Sequence, residues 1–305
     1  MNYEITGINE ALREDMAAGI LAFEQNYHQQ VETIARAILA GREKSPVVLL
    51  AGPSGSSKTT TGQRLREKIT ALGVPAHLIS MDNYYVDWDE PDFPRLQNGE
   101  RDLESPMCLN IPLLNEHFSL LETGADIHVP IYDFPTHKPL EGEFIPMSPS
   151  HGDIFIFEGI HALNPLFTEK HPEAFRLYIS PAASFTSEGR VICTPQTLRL
   201  MRRVVRDHLF RGAEAEFSLS LWSNVLSGDK LYIEPYRDTA HGIINTTMGY
   251  ELGALKPYVL PLFRALPEDV PCREQVEAAL QALEYALEVP HGLVPEDSII
   301  REFIG

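Results

Sequence analysis

The chain has 305 residues, 44% of them hydrophobic, and sets 43 Asp and Glu against 25 Lys and Arg for a formal net charge of −18. That length suits one large α/β domain with additions or two modest domains, and the acidity excludes broad binding to nucleic acid or an anionic membrane surface, either of which would be repelled. Cys108, Cys193 and Cys272 form no Cys-x-x-Cys pair, no basic leader precedes an apolar run and no stretch approaches a membrane span, so a cytoplasmic protein acting on small molecules is expected, without a zinc site, disulfide framework, nucleic-acid partner or membrane partner.

In chain order, Leu12, Met16, Ile20, Phe23, Tyr27, Val31, Ile34 and Ile38 recur at spacings of three and four, which predicts a helix (or a pair, given Gly19) over 10–40 with Gly41 as its C-terminal cap. Its stripe either packs on the rest of the chain, the expected outcome, or meets a second copy in a homo-oligomer. Val47-Val48-Leu49-Leu50-Ala51 is an apolar run of the kind shown by a strand buried on both faces. Gly52-Pro53-Ser54-Gly55-Ser56-Ser57-Lys58-Thr59-Thr60 follows, then a helix ending near Gly73. Strand, Gly/Ser turn and helix make a phosphate-binding loop: backbone N–H groups and a helix N-terminus converge, Lys58 adds a cation for the β- and γ-phosphates, and the Thr59 hydroxyl is placed to ligate magnesium. Ser57 stands where the second glycine is usual, so it must tolerate that backbone geometry. A nucleophile elbow is excluded, because Ser56 takes the place of the glycine that Gly-x-Ser-x-Gly demands.

Further strands are expected over 76–80, 153–158, 175–179 and 242–245, with a short extended stretch over 127–134, a long ordered loop over 83–108 and helices over 109–121, 250–264 and 272–288. Thr194-Pro195 opens a helix that stops at Gly212, and the polar stretch 181–193 reads as a surface insertion. Asp82 and Glu158 both end strands, where ligands gather in an open parallel sheet. Asp82 can take a proton from a hydroxyl, help hold magnesium, or cap its turn through Asn83; Glu158 is either a magnesium ligand or a solvated strand end. Arg199, Arg202, Arg203 and Arg206 share a helical face, with Arg211 beyond them. They suit phosphate on a mobile lid, or ion pairs with Asp207, Glu214 or Glu216.

These motifs, together with Asp82-Asn83-Tyr84-Tyr85, the run from Val129 to His137, Glu158-Gly159-Ile160 and Arg202-Arg203-Val204-Val205-Arg206-Asp207 with Arg211-Gly212, resemble the uridine kinase and phosphoribulokinase family over roughly residues 45–265. The resemblance implies a three-layer α/β P-loop kinase domain over 45–305, with a parallel sheet, a lid about 206–230, C-terminal helices over 250–288 and an N-terminal helical extension over 1–44. It implies ATP- and magnesium-dependent phosphoryl transfer to a nucleoside 5′-hydroxyl, uridine or cytidine foremost. Gly52 and Ser54 to Thr60, with Arg206 and Arg211, would hold ATP; Asp82 would be the base, with Lys58 also catalytic. Thr59, Glu158 and Asp82 would hold magnesium. Asp82, Glu104, Tyr132, His137 and Arg203 would meet the acceptor, Glu104 replacing the family's ribose-binding aspartate. Ala213 replaces a lid arginine. A kinase of another acceptor, such as a phosphosugar or pantothenate, and a nucleotide-binding regulator without transfer activity are the alternatives.

Overall fold

A computed structural model describes residues 2–305. Strand β1 (Asn2–Glu4) leads into α1 (Ile5–Glu14) and α2 (Met16–Gly41). The helical stripe is thus broken, at Asp15 and not at Gly19. Asp15 is extended (φ −151°), and its carboxylate caps α2 by accepting the Ala18 N–H at 3.0 Å. Gly41 closes α2 as a helical residue and not as a left-handed cap.

There follow β2 (Val47–Ala51), α3 (Lys58–Ala71), β3 (Ala76–Ser80), α4 (Ile111–Glu122), β4 (Ile127–Asp133), β5 (Lys138–Met147), β6 (Ile154–Glu158), α5 (Pro165–Thr168), β7 (Phe175–Ser180), β8 (Ser184–Ser187) and β9 (Arg190–Cys193). The chain ends with α6 (Pro195–Arg211), α7 (Ala215–Gly228), β10 (Gly242–Asn245), α8 (Glu251–Arg264), α9 (Arg273–Tyr285) and α10 (Arg301–Ile304). No helix among the described residues is long and apolar enough to cross a membrane.

The main sheet is parallel, in the order β10-β7-β2-β6-β3. The period-2 alternation of a strand divides its side chains between two cores. Val48 and Leu50 of β2 pack with Ile156, Leu177 and the apolar faces of α2 and α3. Val47, Leu49 and Ala51 pack with Phe155, Phe157 and, from α4, Leu114 and Phe118. Helices therefore cover both faces, the three-layer α/β arrangement expected. Register sets Ser80 of β3 and Leu50 of β2 level with Glu158 of β6, so the turns leaving β2, β3 and β6 emerge together.

Two segments carry more structure than their sequence announces. The extended stretch 127–134 is one arm of an antiparallel hairpin with β5; the second arm is largely exposed and carries no core pattern to announce it. The surface insertion over 181–193 is folded. It forms the β8–β9 hairpin, with Phe185 and Cys193 buried, and β1 adds to it in parallel. The N-terminal extension and the insertion thus share one small sheet.

Candidate active site

The loop after β2 has the close approaches its glycines permit. A Cβ on Gly52 would lie 2.0 Å from the Ile179 carbonyl, and Gly55 has φ +76°. Ser57 does adopt the left-handed region (φ 64°, ψ 40°), a strain of roughly 1 kcal/mol for a side-chain-bearing residue. The Ser56 and Ser57 hydroxyls are buried with no hydrogen-bond partner, and the Lys58 ammonium donates to the Pro53 carbonyl at 3.2 Å. Unpartnered hydroxyls beside a cation at the N-terminus of α3 fit an anion at this place.

The carboxylates converge on the same point. Thr59 Oγ1 donates to Glu158 Oε1 at 3.1 Å. Glu158 is buried, not a solvated strand end. Burial raises its pKa, Lys58 opposes and Asp82 adds to the rise. Burial likewise raises Asp82 against the pull of Lys58 and Arg211, and lowers Lys58 against Glu158 and Asp82. The Asp82 N–H is accepted by Ser80 Oγ at 3.3 Å, so Ser80 caps this turn and the Asp82 carboxylate is left for the cleft. Among the described residues no cluster of three His, Cys, Asp or Glu side chains is arranged to hold a metal. Thr59 and Glu158 set their oxygens side by side, with Asp82 near enough to act on Glu158, a sparse set that would suit a magnesium ion shared with phosphate and water.

The arginines of α6 divide into two groups. Arg199 donates to the Ser54 carbonyl at 2.8 Å and to Asp229 at 2.6 Å. Arg202 is fully buried and bonds the Gly55 carbonyl (3.1 Å), the Thr246 carbonyl (2.7 Å) and both oxygens of Glu251. These two mount the loop from behind, which the shared helical face did not reveal. Arg203 reaches Ser54 Oγ at 2.9 Å and Asp207 at 3.5 Å; Arg206 and Arg211 reach Asp207 at 2.8 and 3.4 Å. Asp207, rather than Glu214 or Glu216, is the hub of the ion pairs. The charge of Arg206 also acts on Lys58, and that of Arg211 on Asp82, so these two lie near the cleft.

Tyr132 and His137 come together as expected, but in a larger aromatic setting. Tyr85, Trp88, Phe93, Leu103, Cys108 and Phe134 line a cavity of about 190 Å³ with them. His137 (φ 58°) lies 4.0 Å from the Trp88 ring, and Tyr132 lies 5.4 Å from Tyr85 and 5.2 Å from Phe134. The charges of Asp82 and Glu104 both act on Tyr85, which puts the cavity near the carboxylates. Glu104 faces Arg203 and packs so tightly on Gly228 that a Cβ there would lie 2.4 Å from its own. Trp88 and Phe93 sit in an irregular loop whose only sequence signal is its density of aromatics. His161, three residues beyond Glu158, carries no sequence signal: it is buried with neither ring nitrogen in a well-formed hydrogen bond. A separate cavity of about 580 Å³, bordered by Pro53, Tyr178, Arg199 and Arg237, contains none of Lys58, Asp82 or Glu158.

The model of the Phosphoribulokinase / Uridine kinase family matches residues 47–251. The uridine kinase of Halobacterium salinarum is 30% identical over 64% of this chain and 77% of that protein. The uridine kinase of Staphylococcus haemolyticus is 29% identical over 65% of this chain and 86% of its own length. For that of Deinococcus deserti the values are 28%, 68% and 90%.

Proposed function

The chain belongs to the phosphoribulokinase / uridine kinase family and is a small-molecule kinase, and from that premise we propose that it transfers the γ-phosphoryl group of ATP, with magnesium, to the 5′-hydroxyl of uridine or cytidine. The observation that carries this is the meeting of Lys58, Asp82 and Glu158 at the mouth of a loop with unpartnered hydroxyls, next to an aromatic cavity.

The roles follow from chemistry. The loop from Gly52 to Thr60 holds the triphosphate, with Lys58 on its outer phosphates and Arg206 and Arg211 closing from α6. Thr59 and Glu158, with Asp82, hold magnesium. When bound there, magnesium would supply positive charge to offset that of the phosphates. Asp82 accepts the proton of the acceptor hydroxyl while its oxygen bonds the phosphorus and ADP departs. A carboxylate whose pKa is raised by burial is a better base than a solvated one. Glu104 and Arg203 hold the sugar, and Tyr132, His137 and Trp88 pack on the pyrimidine.

The cavity favours this acceptor over a phosphosugar, because its lining carries no Lys or Arg to meet a second phosphate. A regulator without transfer activity has no use for a base beside the loop. Asp82→Asn tests the reading: turnover of uridine, followed as ADP release, drops about 10²- to 10⁴-fold, while ATP binding by calorimetry persists. Undiminished turnover would remove Asp82 as base. Absence of uridine and cytidine phosphorylation by the unaltered protein, with activity on another acceptor in the same assay, would move the substrate assignment.

A further inference from the structure

The C-terminal turn enters the phosphate site from outside the family-matched segment, which ends at 251. Thr60, in the first turn of α3, donates its hydroxyl to Glu302 Oε2 at 2.5 Å. Glu302 belongs to α10, and α10 is fixed in place. Phe303 is buried with the Arg202 guanidinium 5.0 Å from its ring centroid, Ile304 is buried, and Arg301 binds the His291 carbonyl at 3.1 Å and the Gly305 carbonyl at 2.6 Å. The carboxylate thus rests at the N-terminus of α3, where the positive end of the helix favours an anion. It also acts on Lys58 and Arg211, two of the cations proposed for ATP.

We propose that Glu302 is a donor-affinity residue whose carboxylate competes with a nucleotide phosphate for Thr60, lowering and tuning the affinity for ATP. This rests on the phosphoryl-transfer reading above. Thr60 has one hydroxyl proton: given to Glu302, it is withheld from phosphate. A negative charge at that corner also repels the incoming triphosphate. Binding of the nucleotide therefore requires Thr60 to exchange one anion for another, and the fixed turn keeps the competing anion at high local concentration.

Glu302→Gln keeps the shape and an acceptor oxygen for Thr60 while removing the charge. Calorimetry with two probes, magnesium ATP and inorganic tripolyphosphate, separates the outcomes. The expected result is tighter binding of both, about three- to tenfold, diminishing at high salt, with the fall in KM confined to ATP and the acceptor KM unmoved. Weaker ATP binding with tripolyphosphate unchanged would overturn the proposal in favour of a carboxylate that holds the ribose. No change in either, with a lower unfolding temperature, would make Glu302 a purely structural clasp. If the unaltered protein binds neither probe, the phosphoryl-transfer reading fails first and this proposal with it.

Discussion

His161 is buried with neither ring nitrogen in a well-formed hydrogen bond, only a weak one to the Glu104 backbone, so its desolvation is poorly compensated. Burial, reinforced by the charge of Lys58 and opposed by the Glu104 backbone, lowers its pKa from 6.5 to about 3. The consequence for stability has a definite sign. Below about pH 6.5 the unfolded chain takes up a proton that the folded chain refuses, so this residue's contribution falls as pH drops from 6.5 toward 3. Asp82, Glu104 and Glu158 act in the opposite sense: their folded pKa values are raised, and stability linked to them declines as pH rises through the carboxylate range. His161→Gln separates the two. Between pH 7.5 and 5.0, measured by denaturant unfolding, the unaltered protein should lose on the order of 2 kcal/mol more than the variant, the worth of about 1.5 pKa units. Equal losses would mean that His161 titrates normally in the folded chain.

At the scale of one element, α6 does two jobs with one helical face. Arg202 makes a buried pair with Glu251, and removing one partner of such a pair typically costs about 3–5 kcal/mol because the other charge is left uncompensated. Arg202→Met should therefore lower the unfolding midpoint steeply. Arg206→Gln should leave it within about 1 kcal/mol and reduce kcat about 10²-fold, the loss of one cation facing developing charge. Thermal melts set beside ADP-release rates check both, and a reversed pattern would sink the division. The ends of α6 were legible in the sequence: Thr194 caps it by accepting the Thr197 N–H at 3.1 Å, and Gly212 is left-handed. The division of its arginines was not, because Asp229 and Glu251, which claim Arg199 and Arg202, lie 30 and 49 residues away. The same contrast holds among strands. Buried runs such as Val47–Ala51 announce themselves, whereas β1 pairs with β8 across some 182 residues and neither has an apolar run. Asp82, Glu158, Lys58 and Thr59 could be located because strand ends and loop spacing are local signals. Trp88 and Glu302 lie beside them through packing that no spacing encodes.

Over the whole molecule, both chain ends wrap the phosphate loop and its helix. Tyr27 of α2 donates to Thr61 of α3 at 2.9 Å, Glu24 accepts from Tyr250, and Tyr250 meets Ser298 at 2.9 Å just ahead of α10. Residues 1–44 precede the family-matched segment, yet Ile20, Tyr27, Val31, Ile34 and Ile38 are buried in the same core as Leu50, Leu65 and Ile179. Each such side chain contributes about 1.5–3 kcal/mol by burial, so the five together rival the roughly 5–15 kcal/mol net stability of an ordinary domain. A chain beginning at residue 45 also uncovers β10, whose Gly242 lies so near Ile34 that a Cβ there would be 2.4 Å from the Ile34 side chain. The extension is therefore expected to be part of the folding unit despite lying outside the likeness: deletion of 1–44 should give an aggregating chain, whereas deletion of 1–4, which removes only β1, should leave a folded one. Size-exclusion chromatography and the far-ultraviolet melt of each deletion decide the matter, and a soluble, cooperatively melting 45–305 fragment would show that the kinase domain stands without its N-terminal helices.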